Sequence, residues 1–134
     1  MKGRTHTLYI IIFCMYLAAV GLLCFIKPSS LPEMDIKTFF GLPLDKVLHF
    51  LMFLPYPFLS GMIFISKEQR PIVSCVILFI LAVTGIGVAY GTEIIQSHTG
   101  YRSYEIADFH ADMIGIAAGT LLAAAYMTYT RLKK

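Results

Sequence analysis

A few polar side chains stand at intervals in an otherwise apolar chain, and their types suit chemistry. Asp45, Lys46 and His49 form one group, Glu93 and Gln96 a second, and Arg102, Asp108 and Asp112 a third. Asp45 and His49 are four apart, Glu93 and Gln96 three, and Asp108 and Asp112 four, so on helices each pair shares a face. An imidazole beside carboxylates can act as general acid or base, which makes His49, Glu93 and Asp108 the candidate catalytic residues. Asp45, Lys46, Gln96, Arg102 and Asp112 are the candidate binding residues, with the guanidinium of Arg102 matched in shape to phosphate. No Ser or Cys nucleophile accompanies these groups, so only a water-activating or transfer reaction fits. His49, Glu93 and Asp108 are acceptable metal ligands, but no H-x-x-E-H spacing is present, and neither metal nor cofactor is expected. His110 lies about 200° around a helix from both Asp108 and Asp112, so it is expected at the membrane interface. His98 and Tyr101 read as loop residues.

The elements that hold these groups follow from hydropathy. The chain has 134 residues, 57% hydrophobic and 14% charged, with a mean hydropathy of +0.73. A soluble domain carries about 25% charge. Residues 7–26, 72–92 and 113–130 contain no ionised side chain, and a hydrocarbon core is crossed by about 20 helical residues. A soluble bundle of this size has too little interior to hide three such runs. The reading is an all-α membrane protein, a four-transmembrane-helix bundle with helices over roughly 7–26, 46–65, 72–97 and 105–130, forming a single domain over 1–134. Pro55 and Pro57 interrupt the second helix, since each removes a backbone donor and displaces the carbonyl four residues back. Residues 27–45 carry Pro28, Pro32, Gly41 and Pro43, so they are not one regular helix, and Phe39-Phe40 places them on the membrane surface. Lys2 and Arg4 before an apolar run also describe a signal peptide, but the run is long and no A-x-A site follows, so the helix reads as retained. Cys14, Cys24 and Cys75 have neither disulfide nor CxxC spacing. The net charge of +3 comes without a basic cluster, so nucleic acid is not an expected partner.

Orientation follows from the cations. The N-terminus, the 66–71 loop and the C-terminus hold Lys2, Arg4, Lys67, Arg70, Arg131, Lys133 and Lys134, against Lys27, Lys37, Lys46 and Arg102 on the other side. The excess predicts that both termini are cytoplasmic. The second helix then starts outside, the third ends there and the fourth begins there, so all the polar groups converge on the extracytoplasmic side. His49, Glu93 and Asp112 should lie on the order of 6–10 Å inside their helices. Small residues continue the polar faces inward, Ala82, Gly85 and Ala89 on the third helix and Gly115 and Gly119 on the fourth. A G-x-x-x-G lets another helix approach closely, and Gly115/Gly119 is also the expected surface should the chain form a homo-oligomer.

At these residues the chain resembles the VanZ-like family of small bacterial membrane proteins. The match is Asp45-Lys46-x-x-His49-Phe50, then Glu93-x-x-Gln96, Arg102, Asp108 and Gly115, covering about residues 44–119. The family usually has Asn where this chain has Asp112, which adds a carboxylate that must be protonated or paired. The resemblance implies a multi-pass protein of the bacterial cell (inner) membrane. The family's namesake is linked to resistance against teicoplanin, so it also implies an influence on glycopeptide or envelope-antibiotic sensitivity.

The leading functional expectation is an outward-facing polar pocket for an anionic lipid or lipid-linked cell-envelope precursor. Lys46 and Arg102 would hold its head group while Glu93, Asp108 and Asp112 orient them. The rivals are a membrane-embedded His/carboxylate enzyme acting on such a head group, a proton-coupled transport component, and a polar network that only fixes helix packing. Intramembrane ionisable residues cost at least about 2.5–3.5 kcal/mol at the bilayer centre and mark function by default.

Overall fold

In hydrocarbon every backbone N–H and C=O must be satisfied within the protein, and the helix does this within one segment. The computed structural model describes residues 2–25, 38–100 and 104–133. Its helices are α1 (Lys2–Phe25), α2 (Leu44–Phe53), α3 (Tyr56–Phe64), α4 (Pro71–His98) and α5 (Ile106–Leu132). α2 and α3 run on as one span, Leu44–Phe64, so the described residues hold 4 helical segments long and apolar enough to cross a membrane. These are the expected spans, with ends displaced by a few residues. The largest displacement is at the start of α1, where the helix continues past the apolar run to include Arg4. A long cationic side chain can extend into water there while its backbone stays helical.

The break between α2 and α3 falls at the prolines. Pro55 and Pro57 lack the N–H groups that would bond to Leu51 and Phe53, so α2 stops at Phe53 and α3 restarts with Pro57 in its first turn. Close to the break, the Tyr16 hydroxyl of α1 donates to the Met52 carbonyl at 2.6 Å. A neighbouring helix thus serves a backbone acceptor at the kink, as buried backbone in a membrane requires.

α5 lies at the centre of the bundle, against α2, α3 and α4, and α1 packs outside against α3 and α4. The core gathers Val20, Phe53, Ala89 and Ile116. Gly115 and Gly119 make the central contact. A Cβ at Gly115 would run into the Phe50 carbonyl oxygen, and one at Gly119 into that of Leu54. The two backbones therefore touch, and this face of α5, expected also as a surface between copies, is filled inside the chain by α2 and the turn after it. The Asp108–Asp112 face continues through these glycines, so the close approach also fixes how α2 and α5 present their polar residues.

The termini mark one end of the bundle. His6 Nε2 lies 3.3 Å from the Ile63 carbonyl, and Arg131 donates to Ser74 Oγ at 2.6 Å. The start of α2, the end of α4 and the start of α5 meet at the opposite end. A short hairpin leads into α2 there, with β1 (Thr38–Phe39) antiparallel to β2 (Leu42–Pro43). Its two-residue turn has φ of 51° at Phe40 and 78° at Gly41, the left-handed pair of a type I′ turn. Phe39 and Phe40 are both exposed. The rest of the linker expected at the membrane surface, 27–37, lies outside the described residues.

Candidate functional site

Three helices supply the site, and each contributes from its terminal turns. α2 brings Asp45, Lys46 and His49, α4 brings Glu93 and Gln96, and α5 brings Asp108 and Asp112. His49 lies five residues inside α2, Glu93 five from the end of α4 and Asp112 six inside α5, a depth of about 7–9 Å at 1.5 Å per residue. Contacts join Asp45, Lys46, His49, Glu93, Asp108 and Asp112 into one cluster, and Gln96 is buried three residues beyond Glu93 on α4. Arg102 and Tyr101 lie outside the described residues.

The site has an outer and an inner layer. In the outer layer the Lys46 ammonium is surrounded by carboxylates: it lies 2.9 Å from Asp45 and donates to both Glu105 and Asp108. Glu105, just before α5, is exposed, and its hydrogen bond to Lys46 holds its carboxyl below the ordinary glutamate range. Sequence reasoning missed this residue. The available signal was its i, i+3 spacing to Asp108, which puts both at the start of one helix.

In the inner layer His49, Glu93, Gln96 and Asp112 are all buried. His49 Nδ1 lies 3.0 Å from Asp112 Oδ1 and 3.6 Å from Glu93 Oε1. On the other side of the ring, Nε2 lies 3.5 Å from Asp108 Oδ2. The imidazole is thus held between carboxylates at both nitrogens, and the i, i+4 pair Asp108 and Asp112 grips it from two sides. Asp108 joins the layers, since it also accepts from Lys46. Among the described residues, the second oxygen of Asp112 is buried and accepts no hydrogen bond.

An apolar groove of about 540 Å³ opens beside this cluster, lined by Phe39, Leu42, Lys46, Phe50, His110 and Ile114 among others. It runs between the first turns of α2 and α5 under the hairpin, and Lys46 belongs to both groove and cluster. His110 is exposed, as its place on the far face of α5 requires. His98 is the last residue of α4 rather than part of a loop, with its ring 2.7 Å from the Ile94 carbonyl.

Comparison with known proteins agrees with the family resemblance. Residues 7–127 match the family model described as VanZ/LLP1. No curated protein and no solved structure matches the chain.

Proposed function

The chain belongs to the VanZ/LLP1 family, and from that premise we propose that it binds a lipid-linked cell-envelope group at the polar end of its membrane bundle. The supporting observation is that Lys46 both lines the apolar groove and stands within the polar cluster. An amphipathic ligand can therefore lay an acyl or prenyl chain between α2 and α5 while its head group reaches the carboxylates. Charge refines the head-group class. Lys46 is already matched by Asp45, Glu105 and Asp108, so a bare anion meets a mouth rich in negative charge. A group carrying hydroxyl or amine donors satisfies these carboxylates, and a phosphate on it would compete with exposed Glu105 for Lys46. The cation count along the chain supports an outward-facing site in the cell membrane, and an effect on envelope-antibiotic sensitivity follows if the ligand is a wall precursor.

The test fills the groove from Ala111, a lining residue that supplies no polar group to the cluster. Protein extracted from membranes should carry a co-purifying lipid in native mass spectrometry, and Ala111→Trp should lower its occupancy while melting is unchanged. Equal lipid occupancy in both proteins would remove the reading.

A second reading has its own observation. His49 is flanked by carboxylates on both ring nitrogens, the arrangement that fixes a general acid or base. Labelled envelope lipids incubated with the protein should then yield a product that His49→Gln does not make. Identical product profiles leave binding alone.

A further inference from the structure

Both layers of the site gather acidic groups, but the outer layer already contains its own cation. Asp45, Glu105 and Asp108 converge on Lys46, whose ammonium sits where an ion would. The inner layer is organised differently. One donor atom each from His49, Glu93 and Asp112 lies within 4.8 Å of the other two, and these residues are 3%, 1% and 0% exposed. We infer that His49, Glu93 and Asp112 form a binding site for a divalent transition-metal ion, of which Zn²⁺ is the representative.

The distances suit an ion. Donors about 2.0–2.1 Å from a tetrahedral metal stand roughly 3.3–3.4 Å from one another. The separations of 3.0 Å and 3.6 Å from His49 Nδ1 to Asp112 and Glu93 bracket that spacing. Charge suits it as well, because two buried carboxylates and a neutral imidazole neutralise a dication. The second Asp112 oxygen is a separate observation: it is buried and accepts no hydrogen bond from any described residue. A buried carboxylate oxygen without a donor is costly unless something positive reaches it.

The surroundings of His49 add the second half of the arrangement. A metal-bound histidine characteristically donates its other ring N–H to a carboxylate, which sets the tautomer and the ring plane. With Nδ1 facing Glu93 and Asp112, Nε2 faces Asp108 at 3.5 Å, and Lys46 holds Asp108 in turn. The acidic outer layer, with Asp45 and Glu105 at its rim, offers an incoming cation a path from the surface. One imidazole and two carboxylates leave a fourth position open, as in sites where the ion polarises a ligand. This ion site stands apart from the groove reading, because it requires no lipid.

The experiment uses the full chain, purified in detergent without a polyhistidine tag, stripped with chelator and titrated with Zn²⁺ alone. One equivalent should bind and raise the melting temperature, and Co²⁺ in its place should show the visible absorption of a four-coordinate site. Asp112→Asn, nearly the same shape, should weaken binding by at least about 100-fold, and Asp108→Asn by about 10–100-fold through the histidine it orients. Should either variant not fold, X-ray absorption of the Zn²⁺-loaded wild type decides, and it must show one imidazole with oxygen donors. Absence of stoichiometric binding, unchanged affinity in Asp112→Asn, or a ligand shell with sulfur or several imidazoles overturns the inference. Lipid occupancy in the Ala111→Trp comparison is read independently, so the two proposals fail separately.

Discussion

The two layers of the polar end use the same residue types in opposite ways. Around Lys46, the carboxylates of Asp45 and Glu105 stand partly in solvent, with side-chain exposures of 47% and 54%. Around His49, Glu93 and Asp112 are sealed. Exposed ion pairs gain little, because water already solvates both partners. A buried carboxylate has no such alternative, and its partner decides whether the helix can keep it. The outer layer is therefore a tunable rim, and the inner layer a commitment of the fold.

That contrast is broken most severely by deleting the inner imidazole. His49→Leu leaves Glu93 and Asp112 facing each other without the imidazole. Removing one partner of a buried pair costs about 3–5 kcal/mol, read as a lower midpoint in SDS-titrated unfolding followed by circular dichroism. A midpoint close to wild type would mean that the inner layer is not what holds α2, α4 and α5 together.

Next comes the packing that aligns the layers. Gly115→Ala drives a methyl group into the Phe50 carbonyl oxygen, and overpacking of this kind costs about 1–3 kcal/mol. Gly21→Ala, where a Cβ meets nothing, is the control and should leave the midpoint in place. Equal effects at the two glycines would show that the α2–α5 contact has no special role.

The rim should respond least. Lys46→Met releases Asp45 and Glu105 to water and leaves only the more covered Asp108 without its cation, a cost of about 1 kcal/mol that shrinks with added salt. A loss as large as that of His49→Leu would erase the distinction between the layers. Glu105→Gln should change the midpoint by less still. The depressed Glu105 carboxyl also gives a sign: its pairing with Lys46 is complete above the ordinary glutamate range of about 4.3. The pairing is lost as the pH falls through the lower folded value. A small lowering of the melting temperature by Glu105→Gln at neutral pH, vanishing in strong acid, is the expected profile.

Much of this was readable before the structure, for reasons particular residues show. Residues 72–92 carry no ionised side chain, and length with hydropathy suffices to name a span. Asp108 and Asp112 share a face because helical periodicity is local, and the kink at Pro55 follows from a missing N–H. Glu105 was not legible as a site residue, because an acid beside a helix start is usually solvated. Its role depends on Lys46, 59 residues earlier. The glycines of α5 announced a close helix contact, but a G-x-x-x-G looks the same whether its partner is α2 or another copy.

By itself the sequence determined the membrane class, the number of spans, the break in the second and the end of the bundle where the polar groups gather. Each of these depends on hydropathy, periodicity or backbone chemistry within a few neighbouring residues. Only the tertiary structure decided that Lys46 sits among Asp45, Glu105 and Asp108, and that His49 is held by Asp112 and Asp108 on opposite ring nitrogens. Those pairings depend on the rotation of each helix about its axis and the depth at which its neighbour stops. Here both are set where the backbone of α5 at Gly115 and Gly119 meets the carbonyls of Phe50 and Leu54.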